Sequence, residues 1–553
     1  MTKQVFRNQL SETVFNQKYK HDGCETWSDL ARTLTDQVVG PFNGVLGEGV
    51  VNSIFEIIRD MKFLPGGRYL YYAGRPVKFF NNCYLLRAEE DTREDWANLS
   101  WKAESCLLTG GGIGIDYSVY RDSSKIIKRT GGKASGPIPK MLMVNEIGRR
   151  IMQGGSRRSA IYASLNWKHG DIPQFLDVKN WHNQPIPGTD KTLWDVKNTD
   201  FNFPAPLDMT NISVNYDTEW LLNYYKTGQV GEVFKKNVQQ ALTTGEPGFS
   251  FNFFEKENET LRNACTEVTS EDDSDVCNLG SINFSRIDDV ADLHNVVHLS
   301  TIFLLCGTLI ADLPYSKIAR TREKNRRLGL GIMGLHEWLL SRDYRYEVTP
   351  ELHQWLSIYK GVSDDTSRKY ADRLGISRPV ANRSIAPTGT IGIIAGTTTG
   401  IEPVYAVAYK RRYLKGTKWH YQYAVDSAAQ DVINRLGINP DRVESAIDLA
   451  ADYERRIKFQ ADVQDYVDMA ISSTINLPSK EQQAINVDEF TNTLAKYASR
   501  LRGFTCYPDG SRGGQPLTSV SYKEATEKLG EEFEEHQEWN DVCDITGGGY
   551  CGS

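Results

Sequence analysis

"LRNACTEVTSEDDSDVCNLGSINFS", residues 261–285, sets two cysteines twelve positions apart in a turn-rich segment, with Cys265 inside an alternating Asn263, Cys265, Glu267 triplet. In an extended chain residues i, i+2 and i+4 share a face, so the triplet would present an amide, a thiol and a carboxylate together. The carboxylate argues against a thiolate nucleophile, because a nearby negative charge raises a cysteine pKa. One-electron chemistry at sulfur meets no such objection. An N-x-C-x-E match is weak by itself, so the rest of the chain has to supply its context.

The chain has 553 residues, 40% hydrophobic and 24% charged, a globular composition. The apolar run at 301–313, "TIFLLCGTLIADL", falls short of the roughly 20 residues of a membrane helix and reads as buried. No secretory signal is visible in "MTKQVFRNQLSETVF", and a cytoplasmic address is expected. Nine cysteines, an odd number, then point to reduced thiols rather than a disulfide framework. A net charge of −7 disfavours nucleic acid as the main ligand.

Residues 1–67 read as a helical N-terminal segment that ends at "FLPGGRYLYYAG". Residues 68–520 mix strand-like runs ("IGIDYSV", "AIYASLNW", "NISVNY") with helical ones and read as one large α/β domain. Residues 521–553 form a flexible acidic tail closing with "NDVCDITGGGYCGS".

Other segments carry candidate chemistry. "NNCYLL" (81–86) is a short strand holding Cys83, and the glycines of "TGGGIGIDYS" (109–118) would let backbone approach a ligand closely. It lacks the G-x-G-x-x-G spacing of a dinucleotide site, and no Walker A lysine follows. "RSIAPTGTIGIIAGTTTGIEP" (383–403) offers hydroxyls and glycine N–H groups at a helix start, a phosphate cradle or an ordinary capped turn. His294 and His298 lack the H-E-x-x-H context and read as exposed helix histidines, and no C-x-x-C occurs, so no metal site is expected. Cys106 and Cys306 read as small buried hydrophobes, and Cys24 has no evident partner.

In this order, the segments resemble the catalytic subunit of ribonucleotide reductase from "ETWSDLA" near residue 25 to the terminal cysteines. The resemblance implies a ten-stranded α/β barrel with a central cysteine-bearing finger loop. It implies that Cys265 becomes a thiyl radical, that Glu267 is the base on the 3′ hydroxyl and that Asn263 orients the sugar. Cys83 and Cys277 would supply two electrons and close into a disulfide, which asks for Cα atoms within about 4.4–6.8 Å of each other. Substrate contacts are implied at Asn82, Gly111, Gly112, Ala264, Thr266, Pro387, Thr388, Gly389, Thr390 and Ile391. Cys543 and Cys551 in the tail would re-reduce the buried pair and be reduced by a thioredoxin or glutaredoxin-like partner. About 27 coil residues after Gln515 would give Cys543 a reach on the order of 30 Å.

The radical source stays open at this level. "TGGGYCGS" lacks the arginine-led motif of a glycyl site. Where subunit-dependent members carry a Tyr-Tyr pair, "RGFTCYPDGSRGGQPL" offers Cys506 and Tyr507, a candidate radical relay. The "DGSR" run and the spacing from Cys265 to Cys277 look more like the adenosylcobalamin-dependent branch, the alternative being a separate metal-radical beta subunit. The short form leaves no room for an ATP cone, though a dNTP or ATP specificity effector is expected near residues 116–160. Triphosphates are favoured over diphosphates as substrates, by a monomer or homodimer. Outside this class stand an inactive nucleotide-binding relative and a glycyl radical acyltransferase, which would want two adjacent finger-loop cysteines.

Overall fold

The computed structural model describes residues 5–151, 159–200, 203–415, 418–479, 483–509 and 517–534. Its first strands are β1 (Phe63–Pro65), β2 (Cys83–Leu86), β3 (Gly112–Asp116), β4 (Ile161–Asn166), β5 (Thr210–Tyr216) and β6 (Gly248–Phe251). There follow the hairpin β7 (Leu261–Arg262) and β8 (Thr269–Ser270), then β9 (Asp275–Val276), β10 (Leu279–Asn283) and β11 (Gly329–Met333). The last are β12 (Ala408–Lys415), β13 (Lys418–Val425), β14 (Thr474–Leu477), β15 (Gly503–Pro508), β16 (Leu517–Ser519) and β17 (Glu532–Glu534).

Strands β2 to β6 lie parallel in chain order, with helices between them, as short apolar runs separated by helical periods require. Antiparallel β15 extends this sheet beyond β6 and antiparallel β9 beyond β2, giving the order β14-β15-β6-β5-β4-β3-β2-β9. A second sheet, β1-β10-β11, is joined onward by parallel bridges Leu330 to Arg383 and Ile385 to Ile471.

Alternation along β2 sorts its side chains between two environments. Tyr84 and Leu86 join the apolar cluster beneath the surrounding helices, whereas Leu85 joins a small interior cluster with Leu261, Val268, Cys277, Leu279, Ala386 and Met469. The N-terminal helices are not set apart from this body. Helix Trp27–Val38 starts at a capping box, Thr26 with Asp29, and buries Trp27, Leu30, Ala31, Leu34 and Val38 in one cluster with Ile282 and Ile332 of β10 and β11.

Three expectations need correction. The apolar run at 301–313 is buried helix as read, but as far as residue 310 it belongs to the longer helix Val290–Ile310, whose 21 residues satisfy the length and composition of a membrane span. His294 is exposed, but His298 is half-buried and shares a 2.9 Å hydrogen bond with Thr366 Oγ1. The span after Gln515 that was counted as coil is not all coil: β16 pairs with β12, and within the acidic tail β17 pairs with β13 as far as Glu534. Backbone ladder bonds hold it, which composition alone could not reveal.

Gly114 decides whether the hairpin fits. A Cβ built there would fall onto the carbonyl oxygen of Arg262 in β7, whereas one on Gly361, inside the helix Pro350–Leu374, would meet nothing within 4 Å. Gly114→Ala is expected to lose about 3 kcal/mol or more by urea unfolding. Gly361→Ala should gain roughly 0.5–1 kcal/mol in the same assay.

Candidate active site

The β7–β8 hairpin packs against β2 and β3, and its tip spans Asn263 to Val268. Thr266 donates its N–H to Asn263 O at 3.0 Å and sits at φ +70°, an uncommon left-handed position for a β-branched residue. The tip is therefore a turn, and the extended geometry expected for the triplet does not occur. Reversal at Thr266 leaves Cys265 and Glu267 lining one cleft and folds Asn263 into the hairpin, where its Oδ1 accepts from Val268 N–H at 3.0 Å. Asn263 is fully buried and its Nδ2 has no partner among the described residues.

The hairpin base is fastened by charge. Glu259 pairs with Arg502 at 2.9 Å and accepts from Thr269 Oγ1 at 2.7 Å. Burial opposes its charge, but Arg502 and Arg327 prevail and hold its carboxyl near 2. Arg262 donates to Asn252 Oδ1 at 2.6 Å, and burial, then Arg502, pull its pKa down to about 9. Asp275, just before Cys277, pairs with Arg327 at 2.8 Å and accepts from Ser270 Oγ at 2.7 Å. Such buried pairs contribute geometry more than net stability.

Glu267 is 1% exposed, and its Oε2 has no partner among the described residues. Burial pushes its carboxyl up to about 7, against a smaller lowering by its own backbone and by Asn263. A carboxyl poised there exchanges a proton readily at neutral pH.

Cys277 N–H donates to Cys83 O at 3.3 Å, continuing the register that pairs Tyr84 with Val276 and Leu85 with Asp275. Cys83 thus lies opposite Cys277, and directly opposed residues of an antiparallel pair have Cα atoms about 4.5–5.5 Å apart. That range falls within the separation a disulfide spans. Burial, then Glu267 and Cys83, push the Cys277 pKa well up, so it stays protonated.

The cleft is lined by Gly66, Asn82, Cys83, Cys265 and Glu267, by Leu279, Gly280 and Ser281 of β10, and by Ala386, Pro387, Thr388 and Ile391. Of the residues singled out in the sequence, Asn82, Cys83, Cys265, Glu267, Pro387, Thr388 and Ile391 meet here. Gly111, Gly112, Ala264, Thr266, Gly389 and Thr390 are not among the lining residues. The strand glycines instead make room for protein: a Cβ on Gly112 would press on Ala264 at 3.0 Å. The β10 residues and Gly66 went unremarked, although "NLGSINF" directly follows Cys277. Asn81 was missed too, and its Nδ2 donates to Cys277 O at 2.6 Å.

Neither member of the candidate relay reaches the cleft. Cys506 sits on the helix side of β15 with Phe504 and Phe490, and burial raises its thiol to about 12. Tyr507 lies at the end of the helix Glu232–Thr244, its ring where a Cβ on Gly245 would strike. Cys543 and Cys551 lie outside the described residues.

Comparison with known proteins bears on the family and the fold. The family model described as "Ribonucleotide reductase, barrel domain" matches residues 81–353 and 380–507. The chain is 27% identical over 542 residues to the vitamin B12-dependent ribonucleoside-diphosphate reductase of Mycobacterium tuberculosis (strain CDC 1551 / Oshkosh), covering 86% of this chain and 74% of that one. The like-named Thermoplasma acidophilum protein is 25% identical, covering 85% and 66%. A putative adenosylcobalamin-dependent ribonucleoside-triphosphate reductase of Mycobacterium phage D29 is also 25% identical, covering 78% and 71%. In fold, the chain matches the class Id ribonucleotide reductase alpha subunit of Actinobacillus ureae with a TM-score of 0.71 at 18% identity, over 91% of this chain and 97% of that one.

The raised Glu267 pKa makes stability fall with pH. Between its ordinary value of 4.5 and about 7 the folded protein holds a proton that the unfolded chain has lost, so stability declines across that window and stays lower above it. Glu267→Gln cannot ionise. Its urea stability relative to the parent is expected to improve by up to about 3 kcal/mol between pH 4.5 and pH 8. A gap that does not change with pH would show that Glu267 carries no raised pKa.

Proposed function

The chain belongs to the ribonucleotide reductase family through its barrel domain, and on that premise we propose that it reduces ribonucleotides to 2′-deoxyribonucleotides, with Cys265 as the radical-bearing thiol. The observation that carries this reading is the meeting in one cleft of Cys265, Glu267 and Cys83, with Cys277 opposite Cys83. As a thiyl, Cys265 takes the 3′ hydrogen atom of the ribose, and Glu267 takes the 3′ hydroxyl proton. The 2′ hydroxyl leaves as water while Cys83 and Cys277 together give up two electrons and two protons and become a disulfide. Cys265 then returns the 3′ hydrogen atom and is left as the thiyl, while Glu267 returns its proton to the 3′ oxygen. The carboxyl near 7 suits the proton transfer, and the protonated Cys277 suits hydrogen donation.

The radical initiator is read from the relatives named vitamin B12-dependent or adenosylcobalamin-dependent. Cys265 fits that demand, being the most exposed of the described cysteines. When bound, adenosylcobalamin supplies the one-electron oxidant for this thiol. Cys265 is the residue that would face it.

The finger-loop barrel of the family fits the same frame. Its first five strands would be β2 to β6, and its second five β10, β11, the segment around Arg383 to Ile385, β14 and β15, supported by the parallel bridges between them. Residues 68–520 would then be the catalytic unit, closed on one side by 1–67. The Cys543 and Cys551 pair of the tail would re-reduce the buried disulfide by thiol exchange and pass its electrons from a thioredoxin-like reductant.

Assay of ribonucleoside di- and triphosphates with dithiothreitol is expected to give deoxyribonucleotide only when adenosylcobalamin is added, and none with Cys265→Ser. Product appearing only with a separate radical subunit would overturn the cofactor assignment. No product from either nucleotide with any radical source would overturn the function. Replacing Cys543 and Cys551 by Ser should leave turnover with dithiothreitol intact and abolish turnover with thioredoxin.

A further inference from the structure

We propose that Arg7 and Ser11 are positioning residues for the cleft, acting from outside it through the short helix Gly389–Ala395. This rests on the reading above that the cleft takes the ribonucleotide. The helix has seven residues, too few to hold its shape unaided in water. Ile391 and the two residues before the helix, Pro387 and Thr388, line the cleft. Thr388 is buried at φ +53°, with its carbonyl accepting from Gly392 N–H at 2.7 Å and its Oγ1 from Gly400 N–H at 2.8 Å. The cleft end of the helix is thereby tied to the helix backbone, and whatever fixes the helix fixes these side chains.

What fixes it comes from the N-terminus of the chain. The last carbonyls of a helix have no partner within it. Here Ser11 Oγ donates to Ile393 O at 2.6 Å, Arg7 Nη1 to Gly396 O at 3.2 Å and Arg286 Nη2 to Ala395 O at 3.3 Å. Two of the three donors are guanidinium groups, the charge a helix C-terminus favours. Arg7 also pairs with buried Glu337 at 2.6 Å, and Thr397 Oγ1 donates to the other oxygen of that carboxylate at 2.5 Å. Gly396, at φ +65°, lies so close that a Cβ on it would meet Arg7 Cβ at 3.0 Å. Arg7 therefore braces the end of the helix and the loop that follows it, roughly 400 residues along the chain, and touches no part of the cleft itself.

Steady-state reduction by the full chain, with adenosylcobalamin and dithiothreitol, tests this. Arg7→Ala is expected to raise the nucleotide KM about tenfold while kcat stays within about twofold, since a charge-assisted contact is removed but the reacting groups are not. Arg7→Lys should recover most of the KM, because an ammonium still pairs with Glu337. Ser11→Ala, the milder change, should raise KM about threefold. An unchanged KM in both alanine variants would overturn the inference, as would a fall in kcat that Arg7→Lys does not reverse. A parent chain that turns over no ribonucleotide would fail the functional reading instead, which separates the two outcomes.

Discussion

The hairpin can lie on the sheet only because β3 has no side chain at Gly114, where a Cβ would collide with the carbonyl oxygen of Arg262. Everything chemical in the site hangs from that contact. It brings the β7–β8 hairpin down onto β2 and β3, sets the Thr266 turn above the interior and delivers Cys265 and Glu267 to the cleft beside Cys83. Cβ-bearing side chains at residues 112 and 114 would lift the hairpin away, and the thiols would then face one another across a gap.

Close approach alone would leave a hairpin free to slide. The ion pairs at its base oppose that, joining Glu259 to Arg502 and Arg327, and Asp275 to Arg327, while Arg262 donates to Asn252. A shift of one residue would strand several buried charges at once, a far larger cost than any single pair contributes. The register that places Cys277 opposite Cys83 is fixed by the same network, because Asp275 lies two residues before that cysteine. Glu267 is the exception, a buried carboxyl with an oxygen left without a partner. Among the described residues the other buried carboxylates have partners for their buried oxygens, whereas Glu267 Oε2 has none and is available as a proton acceptor at the cleft.

Legibility in the sequence followed the range of the forces involved. Strands β2 to β5 and the helix after Thr26 were readable because period and capping are local properties. Cys265, Glu267, Cys83 and the Pro387 to Ile391 segment were readable as parts of an ordered set of motifs. The turn at Thr266 was not, because alternate spacing looks the same in a strand and at a hairpin tip, and only the close-packed sheet beneath forces the reversal. The contact of the strand glycines with the hairpin was hidden for the same reason: a missing Cβ admits a ligand or a neighbouring backbone, and sequence does not say which. The placement of Cys506 turned on which face of β15 its side chain takes, and a parity of one residue decides that.

The cysteine pair shows what a backbone ladder can do for redox chemistry. Cys83 and Cys277 lie nearly two hundred residues apart, yet their separation is set by one main-chain bond, Cys277 N–H to Cys83 O at 3.3 Å, and by the Asn81 side chain, whose Nδ2 donates to Cys277 O at 2.6 Å. Opposed positions on an antiparallel pair already stand at disulfide distance, so closing the bond asks for side-chain rotation rather than travel of either strand. Burial keeps Cys277 protonated and therefore a poor partner for stray disulfide exchange, which needs the thiolate. The same burial does not hinder loss of a hydrogen atom. An interior Cys277 thiol on a rigid ladder is thus quiet toward ordinary thiol exchange and, on the reading proposed above, available to a radical on Cys265, the most exposed of the described cysteines.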